Sequence, residues 1–230
     1  MTPFLRLTGV AASLPLSDVD TDKVVPGRFL KRMSRNGLAD TLFHDLRFDK
    51  DGRPIPSFVL NQVPWTQARI LITGPNFGCG SAREHAPWAL LDFGVRCLIA
   101  PSFADIFRTN CFKNGILPIT LGQAEVDRLS DTVSLPGTAV LTVDLEEQVI
   151  LSHKDHIPFA IEAVRRRALL DGLDEISRTL AFDDLIARHL TRTEAEHPWL
   201  TTDPASILTL AAESAGEDAS TRVDSITTAR

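Results

Sequence analysis

Between Ala68 and Gly115 the chain switches its hydrophobic pattern four times, and this alternation constrains the fold more than any other stretch. The run Ala68 to Gly74 (ARILITG) is short, apolar and β-rich and stops at a glycine, as a buried strand does. PNFGCGSAREHAPWALLDFG then begins with loop residues, passes Gly78 and Gly80, and turns helical until Gly94. Arg96 to Ala100 (RCLIA) predicts a second buried strand, and PSFADIFRTNCFKNG a short helix capped by Gly115. Strand, loop, helix, strand, helix is a βαβα unit, so the predicted class is α/β. With 230 residues, 43% of them hydrophobic, the chain can bury a core of its own, and one domain with appendages is expected.

Further on, Ile116 to Leu121 and Ala139 to Asp144 predict strands, and LTVDLEEQVILS has the alternation and polar middle of a hairpin. Phe159 to Leu170 predicts a helix with an apolar stripe and an arginine face, ended near Gly172. The segment from Ser34 to Asn61 is dense in Asp, Gly, Pro and Arg and predicts a long excursion with little structure of its own, a kind of loop that is often functional. After Trp199 the composition shifts to Thr, Ser, Ala and acids. Residues 1–200 are thus read as the domain and 201–230 as a flexible tail, with one short helix around Ile207 to Ala215.

The formal net charge of -6, with cations dispersed among acids, gives no electrostatic footprint for nucleic acid or an anionic membrane, which leaves small molecules and proteins as partners. No stretch reaches the roughly 20 apolar residues needed to span a bilayer, and the N-terminus lacks a basic region followed by a long apolar core. The cytoplasm is therefore the default location. Cys79, Cys97 and Cys111 lack the spacing of a disulfide scaffold and read as free thiols. As three ligands of an iron–sulfur cluster they lack the CxxC element that usually brings two thiolates together.

Chemistry concentrates in Gly78-Cys79-Gly80-Ser81-Ala82-Arg83-Glu84-His85, where strand hands over to helix. Backbone amides at such a junction favour an anion, and an arginine can hold a carboxylate with two parallel hydrogen bonds. Ser81-x-x-Glu84 is at the same time a capping box, which would do no more than satisfy amides at a helix start. The two roles are compatible, since a serine oxygen among helix amides is also placed to act as a base. A hydrolase triad with His85 as base is disfavoured because GCGSA lacks the GxSxG elbow. Asp18-Val19-Asp20-Thr21-Asp22 resembles a calcium loop only superficially, with Lys23 where glycine is required and Phe29 in place of the bidentate acid. It stays open between a solvated turn and an acid facing a carboxylate pocket. His44, His153, His156, His189 and His197 have no second ligand at metal-binding spacing.

Asp20-Thr21-Asp22 with VVPGRFLKR, PNFGCGSAREHAPWAL, APSFADIFRTNCFKNGILPI and LTVDLE together resemble the small subunits of the isopropylmalate dehydratases, which are similar to the swivelling fourth domain of aconitase. The resemblance runs from about residue 1 to 200. It implies a swivelling β/β/α domain with a C-terminal helix and tail. It also implies a hydro-lyase that interconverts 2-isopropylmalate and 3-isopropylmalate in leucine biosynthesis, active only with a large subunit in a heterodimer or heterotetramer. The [4Fe-4S] cluster is then expected in that large subunit, with no cofactor bound by this chain. Ser81 matches the serine base, Arg83 the carboxylate-binding arginine, and Asp22 an acid near the site. Arg28 is a candidate second contact to the small dicarboxylate substrate, and Leu30, Leu38 and Leu42 are candidates for an apolar patch accepting an isopropyl group, each equally readable as core. Citraconate, dimethylmaleate and homoaconitate hydratases are the alternatives within the same architecture. One departure stands out. The common pattern reads Gly-Ser-Ser-Arg, and this chain has Ala82 at the second serine.

Overall fold

The computed structural model describes residues 1–200, so the tail and short helix expected over 201–230 lie outside the described residues. Contacts divide the chain into one unit of Met1–Arg178 and a second beginning at Thr179. The first is built on a seven-stranded sheet: β1 (Arg6–Leu14), β2 (Ala68–Thr73), β3 (Cys97–Ala100), β4 (Leu117–Thr120), β5 (Val140–Asp144), β6 (Val149–Leu151) and β7 (His156–Pro158), in the order β4-β3-β2-β1-β5-β6-β7. Strands β1 to β4 run parallel, whereas β5, β6 and β7 join β1 as an antiparallel extension. The parallel strands that the apolar runs predict are all present, and β5 and β6 form the predicted hairpin. Strand β1, at the centre of the sheet, was not foreseen, because RLTGVAASL carries glycine and alanine where buried strands usually carry branched residues.

Buried strands send alternate side chains to opposite faces, and the two cores divide accordingly. Leu71 and Leu98 enter one core together with Ala86, Ala89 and Leu90 of α3 (His85–Phe93) and Phe107 and Cys111 of α4 (Asp105–Lys113). Ile70, Ile72, Cys97 and Ile99 enter the other, covered by Val126, Leu129 and Val133 of α5 (Gln123–Val133) and Leu169 of α6 (Ala163–Asp171). Helix α6 begins later than its sequence predicts and ends, as predicted, at Gly172.

The Ser34 to Asn61 excursion is more ordered than expected. It contains the one-turn helix α2 (His44–Arg47), a bridge between Phe48 and Pro54, and a 3-10 turn at Val59–Asn61, and it follows the one-turn helix α1 (Thr21–Val24). Leu38, Leu42, Phe43 and Leu60 are fully buried in the first core, each contributing about 1.5–3 kcal/mol of burial. Asn61 donates to the carbonyls of Arg47 and Ile55, and the Asp92 carboxylate caps the N–H groups of Leu38 and Ala39 at 2.7 Å each. Leu38, Leu42 and Phe43 lie close together and Leu60 far along the excursion, too few to establish a period, yet they form one buried layer. Near the end of the first unit comes α7 (Glu175–Leu180), and the described part of the second is α8 (Asp183–Glu196) followed by a 3-10 turn at Pro198–Leu200. No helix among the described residues is long and apolar enough to cross a membrane.

Candidate active site

The parallel pairing of β1 with β2 continues beyond the strand ends and brings two distant motifs side by side. Leu14 faces Thr73 at the end of the ladder, Asn76 then donates to the Asp18 carboxylate at 2.7 Å, and Asp20 pairs with Cys79. The Gly78 N–H donates to the Val19 carbonyl at 2.7 Å, the Thr21 N–H to the Cys79 carbonyl at 2.8 Å, and the Ser81 N–H to the Thr21 hydroxyl at 3.0 Å. Gly78 permits this approach. Its φ is +81°, and a Cβ there would lie 2.1 Å from the Phe107 ring. Asp20 caps α1 by accepting from the Lys23 N–H at 2.7 Å, which accounts for one carboxylate of the acidic cluster as a helix cap.

Past this junction lies a small, half-enclosed cleft whose walls include Asp22, Val25, Leu30, Ser81, Arg83 and His85. Ser81 is half-buried, and Asp22 and Arg83 are exposed. The Arg83 guanidinium has no hydrogen-bond or ion-pair partner among the described residues, so a cationic fork is left open to solvent at the cleft. Three of the predicted site residues, separated by about sixty positions, therefore converge. Leu30 joins them as an apolar wall.

The other expectations are corrected by packing. Leu38 is fully buried beneath the excursion and is a core residue, not part of the cleft wall, and the same holds for Leu42. Arg28 does not line the cleft. Its guanidinium forks onto the Asp45 carboxylate, with one bond of 2.9 Å, meets His44 Nδ1 at 3.0 Å, and lies over the Phe29 ring. That bond holds the Asp45 carboxyl below the usual carboxylate range.

The capping box is not formed either. Helix α3 starts at His85 with Glu84 in the cap position, and the first helical carbonyl is that of Glu84, which accepts from Trp88 at 3.0 Å. Ser81 Oγ reaches only the Arg83 N–H, at a long 3.4 Å. The reason is competition, because tertiary partners take the peptide groups a helical turn would need: Thr21 accepts from Ser81, and Asn110 Nδ2 donates to the Ala82 carbonyl at 3.0 Å. The Glu84 carboxylate instead accepts from Trp88 Nε1 at 3.2 Å and Asn114 Nδ2 at 3.1 Å. Ser81 is thus a turn residue outside the ring of α3 amides, and that source of negative-charge stabilisation is lost to it.

Thr21 and Asn110 hold the loop, and neither partnership was expected from the sequence. Nothing local could have flagged Asn110, whose role depends on α4 packing beside α3. His85 lines the cleft and meets the Arg32 carbonyl at 3.2 Å through Nε2. A carbonyl can only accept, so Nε2 carries the hydrogen.

The thiols cannot act as joint metal ligands. Cys97 and Cys111 are fully buried in opposite cores, on the two sides of the sheet, and burial pushes both thiols well above their ordinary range. Among the described residues no group of three His, Cys, Asp or Glu could hold a metal ion. The described residues do not fit an iron–sulfur cluster.

Residues 1–124 match the family described as the aconitase C-terminal domain. The 3-isopropylmalate dehydratase small subunit of Rhodospirillum rubrum is 54% identical over 201 residues, covering 87% of this chain and 97% of that protein. Those of Gluconacetobacter diazotrophicus (53% over 202 residues, 87% of this chain and 98% of that one) and Rhizobium meliloti (51% over 200 residues, 86% and 100%) are similar to nearly the same extent. The solved 3-isopropylmalate dehydratase structure from Methanocaldococcus jannaschii superposes with a TM-score of 0.60 at 24% identity, covering 80% of this chain and 99% of that one, which supports the fold. A swivelling domain whose segments beyond the central parallel strands bring an acid, a serine and an arginine to one cleft, and that shares half its residues with those subunits over nearly their full length, belongs to the family of 3-isopropylmalate dehydratase small subunits.

Proposed function

We propose that this chain is the small subunit of an isopropylmalate dehydratase, working in the cytoplasm with a separate large subunit and contributing half of a shared active site. The observation that carries the reading is the convergence of Asp22, Ser81 and Arg83 on one open cleft. The cleft is too small to enclose a dicarboxylate substrate by itself. A second surface closes over it in this reading, and the large subunit implied by the relatives' name, small subunit, is the natural source.

The reaction divides accordingly. Arg83 would hold one substrate carboxylate through two parallel N–H donors, which fixes its plane as well as its charge. Ser81 Oγ would take the proton from the carbon next to a carboxylate, the C–H electron pair forms the double bond, and the C–O bond to the hydroxyl breaks. The proton and hydroxyl together make one water. Rehydration with the opposite regiochemistry gives the isomer. A free serine is a poor base, and since Ser81 lies outside the α3 amides its activation is assigned to the closed complex. Asp22 faces the same cleft and is proposed to orient Ser81 or the departing water. The cluster belongs to the large subunit in this reading, and no step assigned here depends on it.

Leu30 and Val25 favour an isopropyl substituent over the charged arm of homoaconitate, because among the described residues Arg83 is the one Lys or Arg in the cleft wall and Arg28 is engaged by Asp45. The test is to purify this chain with and without its large partner and follow isopropylmalate turnover. The pair is expected to be active and the chain alone inactive. Ser81→Ala should cut kcat by about 10³-fold or more, the scale of losing a catalytic proton acceptor. Turnover retained in Ser81→Ala, or shown by the chain alone, overturns the reading.

A further inference from the structure

The turn Ser81–Glu84 belongs to neither a helix nor a strand, so something outside it must hold the two side chains assigned to the reaction. Asn110 and Asn114 stand one turn apart on α4 and its C-cap, and their side chains leave the same face. Asn110 is 8% exposed and donates to the Ala82 carbonyl at 3.0 Å. Asn114 donates to the Glu84 carboxylate at 3.1 Å and accepts from Trp88 Nε1 at 3.0 Å, and the same indole N–H lies 3.2 Å from Glu84. Asn114 Nδ2 also meets the Asn110 carbonyl at 2.9 Å, so its orientation is fixed from two sides. The peptide before Arg83 is therefore held through the Ala82 carbonyl and the residue after it through the Glu84 side chain, while the Arg83 guanidinium has no partner among the described residues.

We propose that Asn110 is a positioning residue for the Ser81–Arg83 turn, acting through the Ala82 carbonyl, with Asn114 and Trp88 bracing the far side through Glu84. This rests on the reading of Ser81 and Arg83 given above. It gives position 82 a task that its side chain does not perform: the carbonyl is the anchor, and the methyl of Ala82 is exposed. An amide is needed at position 110, because only its N–H can meet a carbonyl; a carboxylate there would set two acceptors against each other. Helix α4 itself is fixed by Phe107 and Cys111 in the core, so the turn inherits the rigidity of the sheet.

The test uses the purified two-subunit enzyme. Asn110→Asp keeps the shape and removes the donor, and kcat/KM is expected to fall at least about tenfold, toward the 10²-fold that a 1 Å misplacement can cost. Val126→Ala, in the opposite core, serves as a stability control; at a comparable loss of melting temperature it should keep kcat and KM within about twofold. Arg83→Lys supplies the readout that distinguishes positioning from folding. If Asn110 acts through the turn, adding Asn110→Asp to Arg83→Lys should cost less than about threefold, far below its effect alone. Should Asn110→Asp prevent assembly, Asn114→Ala removes the far brace, and its loss should likewise shrink in the Arg83→Lys background. Unchanged turnover in Asn110→Asp, additive losses in the double variant, or an equal loss in Val126→Ala would each overturn the proposal. If Ser81→Ala is dead while Asn110→Asp is normal, this inference falls and the reading of the site stands.

Discussion

Gly78→Ala is the substitution for which the structure gives the sharpest expectation, because two separate costs meet at one atom. The backbone at Gly78 has φ of +81°, and the added Cβ would lie 2.1, 2.4 and 2.6 Å from three atoms of the Phe107 ring. That ring is 1% exposed and packs edge-on against Phe77 at 5.4 Å, and Phe77 in turn meets Phe43 at 6.5 Å, so it has no free direction in which to move. The left-handed conformation costs a residue with a side chain roughly 1–2 kcal/mol. Overpacking adds about 1–3 kcal/mol. A central value of about 3 kcal/mol corresponds to a fall in melting temperature of roughly 6–12 °C for a domain of this size. Gly52→Ala separates the two terms. Its φ of +77° is nearly the same and nothing lies within 4 Å of the new Cβ, so it should show the conformational cost alone. Thermal unfolding of wild type, Gly78→Ala, Gly52→Ala, Phe107→Leu and the Gly78→Ala/Phe107→Leu pair completes the comparison. Trimming the ring should recover at least about 1 kcal/mol of the clash as non-additivity. If Gly78→Ala melts together with Gly52→Ala, or if the double variant is strictly additive, the close approach of loop and ring is wrong, and the placement of Ser81 built on it fails too.

Leu38→Ala should cost about 2–5 kcal/mol in unfolding free energy while leaving KM for isopropylmalate unchanged, whereas Leu30→Ala should raise KM with little effect on melting. The opposite pairing would return Leu38 to the substrate surface. Asp45→Asn should lower the melting temperature at neutral pH. The Asp45 carboxyl is depressed in the folded state, so its stabilisation is present above the ordinary carboxylate value near 3.9 and is lost as pH falls through the lower folded value; the deficit should therefore vanish in acid, and one that grows on acidification contradicts the ion pair. In the native chain Cys79 should be the only thiol to react promptly with a disulfide reagent, with Cys97 and Cys111 released by denaturant. Fast labelling of more than one thiol would show that the cores are not closed as described.

How much of this was legible beforehand depends on whether a feature was local. The strands β2 and β3 and the helix ends at Gly94 and Gly172 follow from short runs of side chains and were readable as such. The buried layer of Leu38, Leu42, Phe43 and Leu60 was not, because Leu38, Leu42 and Phe43 are too few to establish a period and Leu60 lies far along the chain, and what joins them is the core they share. The capping box failed for a related reason. Ser81-x-x-Glu84 is a valid local signal, but Thr21 and Asn110, some sixty and thirty positions away, offer partners that the local pattern cannot register. Arg28 was misplaced because a sequence shows a charge and not the carboxylate that meets it.

The site is set most deeply by a register, and here the local and the distant come together. At the start of the β1–β2 ladder Val10 faces Ala68, and at the next step Ala11 faces Ile70, so one extra residue of β2 is taken up in a bulge. From that point the sequence offset is constant: it is the same for Leu14 and Thr73 at the strand ends as for Asp20 and Cys79 in the loops beyond. Without the bulge, Asp20 would face the neighbour of Cys79, and every hydrogen bond that ties Thr21 to Cys79 and Ser81 would be out of step. A one-residue slip in a strand exchanges its two faces, so it would also turn the buried side of β2 toward the wrong core. The cores on both faces therefore enforce the alignment that brings Asp22 to Ser81. Hydrophobic packing, which carries no chemistry, fixes which acid and which serine line one cleft, and it does so from the N-terminal end of the parallel strands, on the far side from the cleft.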